Sequence, residues 1–425
     1  MTSPISAAPP AVFMYLFGIF NSWSQLTMML VDFSVGNNLA SLDIVVSRPN
    51  PVPSSSLEEL RDAYNLVYLN VCASVPEEFQ EQRIRYDWTM KLEGSTLYDE
   101  QLPATSNCSI LWKAPTQASY IVTVTGYASN GTEKALMGQK RIAVVDKWIA
   151  VVGDSYASGE GNPNTRCEPH RPATWISEEC HRSNRSFSYK VFRKFQARFP
   201  DAATHFTYLP CTGASVDYGI LAGTARSQLD VVGNISLFRG SGPDVLLMTL
   251  GGNDVGYSEI LSHLINSAKT DRSSPLFGSL DLRFFYVSHQ IDRVAERIKK
   301  IKPGIVVVPH YFDLTENEDG NIDTECEDLR NVPTQNIRQA RSRILNRLNN
   351  MLSSKGFHNK WTVLSASIRS IFAKKGICSK NSLIRSLASS NQVQCNSFGG
   401  FHPIEDAHSQ IAKAVWDSIS PKLID

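Results

Sequence analysis

The chain has 425 residues, 42 Lys and Arg against 41 Asp and Glu, and a formal net charge of +1. That length suits two or three domains, and 42% hydrophobic with 20% charged residues is enough to build buried cores. Near-zero charge excludes a basic nucleic-acid surface and an acidic solvating tail. No run of 18 apolar residues occurs, so no transmembrane anchor is expected.

Residues 11–20, AVFMYLFGIF, have the length of a signal-peptide core. Residues 1–30 are therefore expected to be a signal peptide or apolar leader, although no Lys or Arg precedes Arg48. Sequons at Asn107, Asn130, Asn184 and Asn234 fit a secreted glycoprotein. The eight cysteines are Cys72, Cys108, Cys167, Cys180, Cys211, Cys326, Cys378 and Cys395. They form no C-x-x-C and have no zinc-like spacing with His, so disulfides in an oxidising compartment are expected and no metal. Nearest-neighbour pairing predicts Cys72–Cys108, Cys167–Cys180 and Cys378–Cys395, and leaves Cys211–Cys326.

Residues 45–56, rich in Pro and Ser, read as a linker. Five strand-like runs follow within residues 65–146, the clearest being the alternating YIVTVTGYA. They predict a small all-β sandwich over 45–146, similar to an immunoglobulin-like or PKD-like module. From 147 onward, apolar strands at 148–152, 204–209, 244–250, 304–308 and 361–365 alternate with helices near 186–198, 255–269, 282–301 and 334–355. This pattern predicts an α/β domain with a five-stranded parallel sheet. The helix near 337–352 sets Ile337, Ala340, Ile344, Leu348 and Met351 on one face.

In open parallel sheets, ligands lie at the carboxyl ends of the strands, and four motifs stand there. The first strand ends in Gly153-Asp154-Ser155, a turn that exposes a hydroxyl among backbone N–H groups. The second is followed by Cys211-Thr-Gly213, whose glycine N–H can approach a ligand closely. The third is followed by Gly251-Gly252-Asn253-Asp254, whose Asn amide can donate to an oxyanion. Near the C-terminus comes Gly400-Phe401-His402-Pro403, with Pro403 suited to the first position of the last helix.

A Ser, a Gly, an Asn and a His in that order, within GDSYASGEG, LGGNDVG and H-P-x4-H-x-x-I-A, resemble the SGNH (GDSL-type) hydrolase superfamily, in particular its secreted bacterial-type esterase/lipase branch. The resemblance covers 147–425. It implies a three-layer, flavodoxin-like fold and a serine carboxylester hydrolase. Ser155 would be the nucleophile and His402 the base. The N–H groups of Ser155 and Gly213 and the Asn253 amide would form the oxyanion hole, with Asp154 and Gly252 in support. No cofactor or metal is needed. The partner expected is an ester substrate (a lipid, an acylated small molecule or a glycan), acted on by a monomer. The superfamily often has an Asp three residues before the His, where Gly399 stands; a carbonyl near 398–400 would then orient the imidazole, Asp406 being a turn too far along. His408 is expected to pack or hydrogen-bond within the last helix.

Two further readings stay open. An O-acetyl glycan deacetylase has the same machinery with a smaller pocket, and a non-catalytic binding or adhesion protein has the same scaffold. Residues 315–326 match the middle of a calcium loop but carry Thr315 and Cys326 where its two essential carboxylates belong, so an acidic surface turn is expected.

Overall fold

In the N-terminal part, the alternating strands Arg85–Leu92, Ser119–Tyr127 and Lys134–Ala143 each bury one face. β1 (Ala40–Ser41), β2 (Val45–Ser47), β3 (Pro53–Ser54), β4 (Leu66–Asn70), β5 (Arg85–Leu92), β6 (Asp99–Gln101), β7 (Ser109–Lys113), β8 (Ser119–Tyr127) and β9 (Lys134–Ala143) precede the apolar β10. The computed structural model describes residues 39–49, 52–128, 134–222, 227–256, 279–330 and 332–423; the predicted leader, Asn130 and most of the helix expected at 255–269 lie outside them. One sheet runs β1-β9-β8-β5-β6 and a second runs β2-β4-β7. All their pairings are antiparallel except β1 with β9. Their inward residues, among them Leu69, Trp88, Met90, Trp112, Tyr120, Val122 and Val124, form one hydrophobic cluster.

Downstream, β10 (Asp146–Val152), β11 (Ala203–Tyr208), β12 (Val245–Met248), β13 (Ile305–Pro309) and β14 (Thr362–Leu364) pair in parallel. Val and Ile dominate β10, and residues 149–152 are inaccessible, as in a strand covered on both faces. The helix Phe187–Arg198 packs on Glu405–Ile419, and Gln228–Arg239 packs on Leu280–Ile301. Ile337, Ile344 and Leu348 are buried on the predicted face, with Ala340 and Met351 at its margin.

The parallel sheet has six strands, not the five expected. Its order is β14-β13-β12-β10-β11-β3, and the sixth strand comes from the segment read as a linker. Residues 45–47 also pair, with β4. Both strands are two or three residues long, too short for a periodicity to register. Their Pro and Ser content reads as loop because edge strands tolerate it.

Of the predicted disulfides, Cys72–Cys108 forms. It closes β4 on β7, whose register sets Asn70 opposite Ser109. The other three pairings are corrected: the bonds are Cys167–Cys395, Cys180–Cys211 and Cys326–Cys378. Loops that leave the carboxyl edge of a parallel sheet meet in space while remaining far apart in sequence, which defeats nearest-neighbour pairing. Cys167 and Cys395 are 228 residues apart.

Asp146 joins the two hydrophobic regions. Its fully buried carboxylate accepts from the Arg48 guanidinium, from the Asn65 N–H at 2.9 Å and from His205 Nε2 at 2.7 Å. Removing one partner of a buried pair leaves the other charge unpaired, at a cost of ~3–5 kcal/mol. Asp146→Ala is expected to lose about that much in urea denaturation with the disulfides intact; a loss below about 1 kcal/mol would mean that the junction is dispensable.

Candidate active site

The carboxyl end of β10 turns sharply at Gly153, whose φ of +147° and close approach to Thr249 exclude a side chain: a Cβ there would lie 2.3 Å from Thr249 Oγ1. The Gln228 amide clamps this residue from both sides, accepting its N–H at 2.6 Å and donating to its carbonyl at 2.9 Å. Asp154 then caps the short helix Ser155–Ser158 through the Tyr156 N–H. Its other donors are the Thr249 hydroxyl at 2.7 Å and the Tyr311 hydroxyl. Burial nevertheless pushes the Asp154 carboxyl upward, against the pull of those donors and of the His402 charge.

Ser155 opens that helix, and its Oγ lies 2.8 Å from His402 Nε2. On the far side of the ring, Nδ1 is 3.1 Å from the Gly400 carbonyl. With the proton on Nδ1, the imidazole donates to Gly400 O and Nε2 is free to accept the serine proton. Asp406 is exposed in the first turn of the last helix. Gly399 is closed to a carboxylate: a Cβ there would lie 2.5 Å from Gly161 Cα. Phe401, immediately before the histidine, has φ +64°, and its N–H and the His402 carbonyl both bond the backbone of Arg385 at 2.8 Å. This strained turn aims the ring.

The last helix begins at Glu405, after an Ile404 cap, so Pro403 is not its first residue. The Pro403 carbonyl instead accepts from Asn162 Nδ2 at 2.9 Å. His408 packs fully buried, as expected, but its ring bonds outside its own helix. Its Nδ1 accepts the Phe187 N–H at 3.1 Å, capping the start of Phe187–Arg198, and burial pushes it down to about 3.

The remaining predicted residues converge from two other strand ends. Gly252 donates its N–H to the Tyr311 hydroxyl at 3.1 Å, with no room for a Cβ against that ring. Asn253 donates one amide N–H to the Ala214 carbonyl at 2.9 Å; the amide carries a second N–H. Asp254 accepts the Val216 N–H at 2.9 Å. These two bonds fasten the loop that bears Gly213, whose φ is +82° and whose Cβ position is open space. A cavity of about 360 Å³ opens over Ser155 and His402, walled by Asn253 and by Phe312, Leu387, Phe398 and Phe401. Gly213 is not among its walls. In the calcium-like segment, Asn317 Oδ1 accepts from the N–H groups of Asp319 and Asn321, which makes an Asx turn.

Sequence reasoning missed Gln228, Tyr311 and Glu160. Glu160 has no solvent exposure, and its carboxylate accepts from His181 Nδ1 at 2.7 Å, Thr212 Oγ1 at 2.6 Å and Gln394 Nε2 at 2.9 Å. Trp175 stacks on His181 at 4.4 Å. Burial would raise the Glu160 carboxyl, but the His181 bond, the charge of His402 and the Thr212 bond bring it down to about 2. His181 is raised in turn by its bond to Glu160, against the effect of its own burial. The available signal was a lone carboxylate between two glycines, five residues after the serine.

No family model matches the sequence, and no curated protein matches it. Among solved structures, the chain is similar to an extracellular lipase from Streptomyces rimosus, with 19% identity and a TM-score of 0.47 over 64% of this chain and 99% of that one. A phospholipase A1 from Streptomyces albidoflavus NA297 gives 17% and 0.43 over 64% and 98%. A two-domain esterase active on acetylated mannans gives 14% and 0.33 over 65% and 49%. These likenesses are weak.

Two outcomes are expected. Gly399→Asp will not create a triad; overpacking against Gly161 will lower stability by ~1–3 kcal/mol, and turnover will not rise. The Glu160–His181 pair has opposite signs at its two ends. The lowered Glu160 contributes stability above its ordinary 4.5 that is lost as pH falls toward 2. The raised His181 contributes stability below its ordinary 6.5 that is lost at higher pH. The melting-temperature gap between wild type and His181→Asn is therefore expected to be wider at about pH 5.5 than at about pH 9. A gap that widens with pH would contradict the pairing.

Proposed function

We propose that this protein is a serine carboxylester hydrolase of the SGNH (GDSL) type, secreted, with residues 147–425 as its catalytic domain. The 2.8 Å contact between Ser155 Oγ and His402 Nε2 carries the reading. His402 removes the serine proton as Oγ attacks the ester carbonyl, then delivers that proton to the departing alcohol. Water, deprotonated by the same imidazole, releases the acid and restores Ser155. The Ser155 and Gly213 N–H groups and the second N–H of the Asn253 amide hold the tetrahedral oxyanion. The Gly400 carbonyl takes the place of the triad carboxylate: a dipole, not an adjacent charge, steadies the imidazolium.

The cavity walls favour an apolar acyl chain over a sugar acetate. Leu387, Phe312, Phe398 and Phe401 offer hydrocarbon, and Phe398 remains well exposed for contact with substrate. Four disulfides support an oxidising compartment. Asn107, Asn184 and Asn234 are exposed, as glycosylation would require.

Hydrolysis of p-nitrophenyl decanoate is expected to exceed that of the acetate. Ser155→Ala should fall at least about 10³-fold, and Asn253→Ala about 10²–10³-fold in kcat. Preference for the acetate would favour a glycan deacetylase. Equal inertness of wild type and Ser155→Ala would sink the enzyme reading and leave a binding protein.

A further inference from the structure

Deacylation and acylation both place a positive charge on His402, yet the residue beside its ring is a neutral carbonyl. The nearest elements hold two buried carboxylates, Asp154 and Glu160, and the charge of His402 acts on both. They differ in their surroundings. Asp154 is shared among Tyr156, Thr249 and Tyr311, all at the nucleophile end. Glu160 reaches all three segments: Thr212 is next to Gly213, Gln394 is in the segment that leads to His402, and the Glu160 N–H itself donates to the Ser155 carbonyl at 3.1 Å, just past the end of the Ser155–Ser158 helix.

Covalent bonds fall beside these contacts. Cys180–Cys211 joins the neighbours of His181 and Thr212, and Cys167–Cys395 anchors the neighbour of Gln394. Asn162, two residues on, holds the Pro403 carbonyl with its Nδ2 and the Arg385 guanidinium with its Oδ1 at 2.9 Å each. Gly161, at φ +85°, fits against Gly399: a Cβ on Gly399 would lie 2.5 Å from Gly161 Cα, and one on Gly161 would press at 3.1 Å on the Gly399 carbonyl. The loop 160–162 is therefore a hub between nucleophile, oxyanion loop and base loop. We propose that Glu160 is a positioning residue of this site: its carboxylate fixes the oxyanion loop and the base loop against the nucleophile, and supplies at one remove the negative charge that the position of Gly399 cannot. The charged groups around it are His181 with Glu178 behind, His402 with Asp154 and His408 on its own far sides, and Arg385 over Gly161.

This inference rests on the ester-hydrolase reading, so the test separates the two. The rate of covalent labelling by a fluorophosphonate is followed against pH in wild type, Ser155→Ala, Glu160→Gln and Thr212→Val, with p-nitrophenyl ester kinetics beside it. Labelling of wild type but not of Ser155→Ala establishes the nucleophile without regard to substrate. Glu160→Gln keeps the shape and loses the charge. It is expected to lower kcat at least about tenfold with KM within about threefold, and to move the acid limb of the labelling profile to lower pH, because an imidazolium without the anion gives up its proton more readily. Thr212→Val keeps the charge and cuts one tether; its rate is expected to fall several-fold with the acid limb unmoved. If Glu160→Gln fails to fold, a moved limb in Thr212→Val, or an unchanged rate there, overturns the assignment. A Glu160→Gln profile that superimposes on wild type, or a rate loss with the limb in place, also overturns it. A wild type that takes no label overturns the hydrolase reading, and this one with it.

Discussion

A single carboxylate removed from water holds the ends of the central strands together. Asp154 bonds the start of its own helix, the hydroxyl of Thr249 just past β12 and the hydroxyl of Tyr311 just past β13. Every buried acceptor needs its donors, so these three chain segments can meet in only one arrangement. Tyr311 extends the arrangement to the N–H of Gly252, and Gly252 fixes where Asn253 begins. The serine and the Asn amide are placed by this arrangement before any substrate is considered.

His402, the proposed base, is fixed by different means. Among the described residues the His402 Nδ1 bonds a carbonyl and no charged group; the ring is steered by that carbonyl two residues away and by the left-handed Phe401 turn between two Arg385 bonds. A glycine pair, Gly161 against Gly399, takes up the space in which a carboxylate would have stood. The resulting pocket carries Phe312, Leu387, Phe398 and Phe401 among its walls. The proposed dyad would depend on rigidity, and the two disulfides Cys167–Cys395 and Cys180–Cys211 with the 159–185 segment between them supply stiffness that an Asp–His bond would otherwise give.

Much of this was legible in residue order. Strands β10 to β14 lay within a few residues of their apolar runs, because strands covered on both faces are continuous in sequence. Ser155, Asn253 and His402 were singled out because each stands where a strand or helix must turn, and all three line one cavity. Gly213 was placed on its loop, but the cavity wall beside it belongs to other residues. What escaped was set by closure of the loops in space. Cys167 found Cys395 and Glu160 found Gln394 across more than half the domain, and no local pattern encodes such a meeting. Pro403 was read as a helix start from its lack of an N–H; its carbonyl turned out to matter more. His408 was expected to pack or hydrogen-bond within its helix; it packs fully buried, and its ring accepts the Phe187 N–H from another helix.

The two-residue strand β3 gives the parallel sheet its boundary. Ser54 pairs with Thr207 and Pro53 with Phe206, and β3 is the last strand on that side. A proline has no N–H to offer a further strand, so the ladder cannot be extended at that residue. An upstream stretch of the same polypeptide thus serves as a built-in stopper for an edge that would otherwise present unpaired backbone to other molecules. A gene trimmed to begin at residue 147 would encode every residue of the proposed chemistry but leave β11 uncovered, and copies of that shortened product would be prone to stack edge to edge.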